Sequence, residues 1–286
     1  MSTIRKTQVY KFPVDKVWSA ITEPEQMKKW YFYVHDFKLE EGNVFTFYEN
    51  ESGGNFLHRC EILKVIPNEL FEHTWEHPNH SKGKSVLTWK LDSLSDASTQ
   101  LTLTHSGLEN FSDAGPEFAP ENYDGGWDGF VKTALKNYLN GIEKLVFEVD
   151  IQAPPEKVWG KLWNAESYKI WTSAFSDGSS MVGELKEGNR IHFVNENGEG
   201  IYSDIVYLKE NKWIIFSHIG NIQNGKELPL DEETEKWTGS FESYKLSKND
   251  NSTRLIAEID NERTSHEVMT EKFSKAFKTL KEICEH

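Results

Sequence analysis

Apolar residues recur along this chain with two different periods. Val14, Val17, Trp18 and Ile21 fall at helical spacing. They predict an amphipathic helix that starts at Pro13, a residue suited to a first helical turn. A short second helix is expected over residues 24–30. Beyond it the period becomes two. Phe45 and Phe47, then Phe56, His58, Cys60 and Ile62, then Phe71, His73 and Trp75 hold alternate positions. Leu87, Trp89 and Leu91, and then Leu101, Leu103 and His105, do the same. Each set lies on one face of a strand. Glu-Gly-Asn, Ser52-Gly53-Gly54 and Pro-Asn-Glu separate the runs as turn signals, the second reading as a hairpin turn. Residues 5–12 add a strand before the first helix. An antiparallel meander with one apolar face results. Residues 106–126 read as a long polar connection. Trp127, Phe130, Val131, Ala134, Leu135, Tyr138 and Leu139 then mark an amphipathic helix of about four turns, ended by Asn140-Gly141.

The second half repeats the first. PVDKVWSAITEPEQMKKW at residues 13–30 answers PPEKVWGKLWNAESYKIW at residues 154–171, at a constant offset of 141. LEEGNVFTF at residues 39–47 answers LKEGNRIHF at residues 185–193. A period this long is far beyond the roughly 20–50 residues of a solenoid repeat and marks a duplicated domain. The expected boundaries are 1–141 and 142–286. The last helix of copy two carries Val268, Met269, Phe273, Ala276, Phe277, Leu280 and Ile283. Copy two places its irregular segment at residues 220–239, with the acidic run Asp231-Glu232-Glu233-Thr234-Glu235 read as a solvated loop.

Composition narrows the function classes. The net charge is −14, with 14 basic against 20 acidic residues in 1–141 and 18 against 26 in 142–286. Neither half is basic, which disfavours nucleic acid as a partner. No stretch approaches the ~20 apolar residues of a membrane span, and the N-terminal segment lacks an apolar core of signal-peptide length. The two cysteines, Cys60 and Cys284, occupy non-equivalent places in the copies. A cytoplasmic protein with reduced thiols is expected. No cofactor and no metal are assigned. His73, His77 and His80, with His58 and Cys60, are suitable metal-ligand types, but a site would have to gather them from a strand face and a turn. There is no Gly-x-Ser-x-Gly and no phosphate-binding glycine loop.

A strongly curved sheet with one apolar face must cover that face, and the long final helix of each copy is the only element large enough. A cavity between sheet and helix follows. Phe45, Phe47, Phe56, Phe71, Trp75, Trp89 and Trp127 are its expected aromatic lining in copy one. His58, His73 and His105 share the inward face and are the candidate polar contacts. Their equivalents in copy two are Ile201, Phe216 and Ile259; Ser203 replaces Cys60, and His218 replaces Trp75. The fold therefore does not demand the histidines, and a function peculiar to copy one is expected there.

The element order, the Pro-x-[Asp/Glu]-Lys-Val-Trp motif and the short helix ending in Trp resemble the START-like (SRPBCC, Bet v 1-like) helix-grip fold. Glu41-Gly42-Asn43 with Phe45 and Phe47, Glu72-His73-Thr74-Trp75, and Gly125-Gly126-Trp127 are similar to the C-terminal domain of activators of heat-shock protein 90 ATPase. Copy two departs from the last signature, with Thr264-Ser265-His266 near the start of its final helix. The resemblance implies an α+β protein of two tandem helix-grip domains, each a curved antiparallel sheet around a long C-terminal helix with two short helices. Non-enzymatic binding of a small hydrophobic or aromatic ligand, mainly in copy one, is the leading expectation. A chaperone-linked interaction module is one alternative, with the chaperone as partner. A cyclase- or hydratase-type enzyme using His73 or His58 is another.

Overall fold

The computed structural model describes residues 3–49 and 56–286. The Ser52-Gly53-Gly54 turn lies outside the described residues. The chain divides into two compact units, Met1–Leu139 and Asn140–His286.

Domain one runs β1 (Thr3–Tyr10), α1 (Val14–Thr22), α2 (Pro24–Met27), β2 (Val44–Tyr48), β3 (Leu57–Ile66), β4 (Leu70–Trp75), β5 (Ser85–Ser95) and β6 (Ser98–Ser106). The strands form one antiparallel sheet in the order β1-β6-β5-β4-β3-β2. The final helix begins as α3 (Pro120–Asp128), turns π-helical over Gly129–Ala134 and ends as α4 (Leu135–Leu139). It starts seven residues earlier than the sequence predicts. Pro120 occupies the first helical position, where its missing N–H costs nothing, and Gly125-Gly126 is carried inside the helix instead of opening it.

Domain two runs β7 (Ile142–Ile151), α5 (Pro155–Trp163), α6 (Ala165–Trp171), β8 (Ser180–Val182), β9 (Arg190–Val194), β10 (Gly200–Lys209), β11 (Trp213–Gln223) and β12 (Lys226–Glu227). α7 (Glu232–Trp237), β13 (Phe241–Asn249), β14 (Ser252–Glu262) and α8 (His266–Glu285) complete it. The sheet order is β7-β14-β13-β11-β10-β9-β8, with β12 paired to β11. The acidic run is not a loop. Asp231 caps α7 by accepting from the Thr234 N–H, and the Thr234 hydroxyl accepts from the Asp231 N–H in return. Glu232, Glu233 and Glu235 then fall in the first turn, where negative charge suits the helix dipole. On α8, Phe273, Ala276, Phe277 and Leu280 are buried as the period predicts, but Val268 is 53% exposed at the first turn.

The repeated motifs perform the same structural work in both copies. The indole N–H of Trp30 donates to the Ala20 carbonyl (2.9 Å), and that of Trp171 to the Leu162 carbonyl (3.1 Å). Each bond closes the corner between the two short helices. Thr99 donates to the Phe12 carbonyl (2.8 Å) and Thr253 to the Ala153 carbonyl (2.7 Å), tying the residue before each first helix to the sheet. Gly42 and Gly188 sit at φ 84° and 86°. Their N–H groups donate to the Ile62 and Ile205 carbonyls, both at 2.8 Å. Glu41 accepts from the Val65 N–H and Glu187 from the Leu208 N–H. The Glu-Gly-Asn segment is therefore a clamp on the second long strand, just where each strand shifts register at Leu63 and at Val206.

The left-handed backbone at Gly42 and Gly188 gives a direct test. Alanine there pays about 1–2 kcal/mol for its Cβ at positive φ. Gly42→Ala and Gly188→Ala are each expected to lower the urea midpoint of the domain that carries them. An unchanged midpoint in both would show that the clamp contributes nothing.

Candidate binding cavities

In domain one the inward aromatic set divides between a packed core and a small cavity of about 220 Å³. Phe56, His58, Trp75 and Trp127 line the cavity. Phe45, Phe47, Phe71 and Trp89 are buried behind it. Phe47 is stacked against the His58 ring at 4.5 Å and packs edge-on against Trp75, so those two rings stand between it and the open space. His73 also lies behind the wall. Its Nδ1 donates to the Thr74 carbonyl (2.8 Å), and its ring packs against Phe45 and Phe71. His105 is fully satisfied in the core: Nδ1 accepts from the Trp127 indole N–H (3.0 Å), which leaves Nε2–H to donate to the Ser85 hydroxyl (2.8 Å).

Residues that strand periodicity did not single out complete this cavity. Phe32 reaches it from the segment after α2, stacked on Phe47 at 4.6 Å. Phe118, Tyr123 and Phe130 come from the stretch read as a polar connection and from the final helix. His77 is 2% exposed, although its Pro-Asn neighbourhood reads as a surface turn. Its Nε2 accepts from the Trp75 indole N–H (3.2 Å), so the Tyr123 hydroxyl (2.6 Å) must also donate to it. The ring proton then sits on Nδ1, which has no hydrogen-bond partner. The π-helical turn carries Phe130 to the cavity, and the Tyr10 hydroxyl donates to the Val131 carbonyl within it (2.6 Å). Domain two has Ile151 at the place of Tyr10, and its final helix is α-helical from His266 to Glu285. Among the described residues no group of three or more His, Cys, Asp or Glu side chains is placed to hold a metal ion.

Domain two holds the larger space, about 640 Å³. The sequence pointed instead to copy one. The reason is side-chain size. Tyr31 packs against Trp89, Trp127 and Phe130 in domain one, and at the 141 offset domain two has Thr172, which lines the open cavity. Strand register gives the other exchanges. His58 faces Phe47 as Ile201 faces Phe193, and Trp89 faces Phe71 as Tyr244 faces Ile214.

One wall of this larger cavity is polar. His218 Nδ1 shares a hydrogen bond with the Ser203 hydroxyl (2.8 Å), and Nε2 lies 3.3 Å from the Glu242 carboxylate. The Tyr244 hydroxyl donates to the other Glu242 oxygen (2.5 Å). Burial pushes the Glu242 carboxyl up, but His218 and Tyr244 outweigh it and hold the group below its ordinary value. Burial and the Glu242 charge hold the Tyr244 phenol well above its own. Glu242 is thus an ionised acceptor fixed by two donors. Leu87 stands at its place in domain one, since both face the neighbours of equivalent strands. The sequence carried a signal for this wall: the exchanges at Ser203 and His218 are visible there, but Glu242 in a strand reads as solvent-facing.

Ser240 shows how the two walls diverged. His218 pairs with Ser240 as Trp75 pairs with Ser85. In domain one His105 satisfies the Ser85 hydroxyl. Ile259 stands in place of His105, and the Ser240 hydroxyl is left buried with no partner on the cavity wall.

A helix closing a curved sheet over an internal cavity, twice in succession, defines a tandem helix-grip protein of the α+β class. Residues 11–140 match the family described as Activator of Hsp90 ATPase homolog 1-like protein, and the first domain carries that family's pattern. No curated protein matches the chain. Among solved structures, DynU16 from the dynemicin biosynthetic locus is 15% identical, covering 100% of this chain and 98% of its own, at a TM-score of 0.41. The di-domain ARO/CYC StfQ from the steffimycin biosynthetic pathway is 13% identical, with 99% and 98% covered and a TM-score of 0.40. The Aha1 dimer from Colwellia psychrerythraea is 23% identical over 50% of this chain and 96% of its own, at a TM-score of 0.39. Among the described residues no helix is long and apolar enough to cross a membrane.

The buried histidines of domain one make its stability depend on pH. Burial drags His58 and His73 to about 4 and His77 and His105 to about 3. All four are neutral when folded, whereas in the unfolded chain they protonate near pH 6.5. Their depressed values mean that stability is fully present above pH 6.5 and is lost as pH falls from there towards 4. Each such histidine steepens the slope by up to about 1.4 kcal/mol per pH unit. His73→Phe, which installs the residue domain two has at Phe216, is expected to flatten the fall of the urea midpoint between pH 6.5 and 4.5. An unchanged slope would remove His73 from the account.

Proposed function

We propose that this protein binds a small, mostly apolar molecule with an aromatic ring in its helix-grip cavities, with domain two as the principal site. The observation that carries this reading is the 640 Å³ cavity, walled by Trp171, Phe175, Phe193 and Phe273 and furnished on one side with fixed polar groups. That volume and that mixture suit a ligand of drug-like size, oriented by a few hydrogen bonds. The 220 Å³ cavity of domain one is below the usual range and takes a fragment or water.

Native mass spectrometry of the protein isolated from its own host, followed by organic extraction, tests the reading. A co-purifying species is expected. Thr172→Tyr, which imports the domain-one residue into the larger cavity, should abolish it. Gly126→Leu, at a glycine that lines the smaller cavity and where an added Cβ meets no atom within 4 Å, should leave it in place. Loss of the species in Gly126→Leu alone would move the site to domain one, and no species in any preparation would remove the reading. A second reading, contact with a heat-shock protein 90 chaperone, draws support from the family match of residues 11–140. Pull-down with the host chaperone and its ATPase turnover decide that reading separately.

A further inference from the structure

The charge of the larger cavity is one-sided. Four carboxylates line it, Glu199, Glu242, Asp260 and Glu262, against one imidazole, His218. Among the described residues no lysine or arginine lines it. Two cations lie nearby: Lys272 donates to the Phe175 carbonyl, and Lys144, paired with Glu258, faces Asp260 across the strand pair and draws its carboxyl down. Even with His218 protonated the wall keeps an excess of negative charge. Asp260 accepts from the Phe241 N–H (2.9 Å), and burial pushes its carboxyl up. The Phe241 N–H, Lys144 and His218 offset that rise only in part.

Two further features complement a cation. Aromatic rings also line the space, Trp171, Trp237, Phe175, Phe193 and Phe273 among them. Their faces attract cations, most strongly when water is excluded. The Ser240 hydroxyl, 2% exposed and without a partner, offers a buried acceptor beside the carboxylates. Ile259 stands where domain one has the imidazole that satisfies Ser85, so the hydroxyl is open to a polar group of a ligand or to water.

We propose that the domain-two cavity selects an organic cation: a primary or secondary amine carried on an aromatic or other apolar body. The ammonium sits between Asp260, Glu242 and Ser240, and the apolar body lies against the rings. This rests on the reading of domain two as the binding site and adds the charge of the ligand to it.

Isothermal titration calorimetry with three matched probes tests it on the full chain: 1-naphthylmethylamine, 1-naphthylmethanol and 1-naphthoate. The amine is expected to bind at least about tenfold more tightly than the alcohol, and the carboxylate most weakly. Asp260→Asn and the near-isosteric Glu242→Gln should each shrink the amine-to-alcohol ratio while leaving alcohol affinity unchanged. Thr172→Tyr should weaken all three. Alcohol binding equal to or tighter than amine binding overturns the cation inference and leaves the cavity reading standing. An undiminished ratio in both carboxylate variants also overturns it. Failure of all three probes to bind removes both.

Discussion

Each sheet has one apolar face, and only the final helix of its own domain is long enough to cover it. Everything else in the two domains is arranged around that constraint. The short helices close one end, pinned by an indole hydrogen bond at Trp30 or Trp171. The threonines at Thr99 and Thr253 hold the entry to those helices against the sheet. The Glu-Gly-Asn clamp fixes the strand whose register shift bends the sheet round the helix. Because a helix cannot match a curved sheet everywhere, what fills the remaining gap is decided by individual side chains. Tyr31, Phe32 and Trp127 nearly fill it in domain one, whereas Thr172 leaves it open in domain two.

The duplication separates two layers of the sequence. Identical positions such as Trp18 and Trp159, or Gly42 and Gly188, maintain the frame. Divergent positions set the chemistry inside it. In domain one two of the inward histidines are satisfied in the core, His105 bridging Trp127 and Ser85 and His73 bonded to its own strand, whereas His58 and His77 line the cavity with Nδ1 unpartnered. Domain two has Phe216 and Ile259 at those places and carries an ionised carboxylate, Glu242, held by His218 and Tyr244. Domain one also has a π-helical turn whose Val131 carbonyl is satisfied by Tyr10. The aliphatic Ile151 offers no such donor, and its helix is regular.

The α+β class, the sheet faces and the duplicated frame were legible in the sequence because alternation and offset are local, countable properties. The cavity was legible only in part. Phe56, His58, Trp75 and Trp127 reach it, but Phe45, Phe71, Trp89, His73 and His105 share their periodicity and lie one layer deeper. Period places a side chain on a face and says nothing of depth behind its neighbours. His77, Tyr123 and Phe118 lay in segments whose composition reads as surface loop, and tertiary packing overrode that reading. Glu242 was hidden for a related reason. An acidic residue in a strand belongs to solvent by default, and only the partners His218 and Tyr244, brought from two strands, make its burial affordable.

The two domains differ most in the space between sheet and helix, about 640 Å³ in domain two against about 220 Å³ in domain one. The most direct measurement is the electron density inside both cavities of a crystal grown from protein isolated from its own host. Organic density is expected in domain two, in contact with Ser240, Glu242 and the ring of Phe193, and no more than water beside His77 in domain one. Ligand density in domain one with a collapsed, side-chain-filled space in domain two would contradict it.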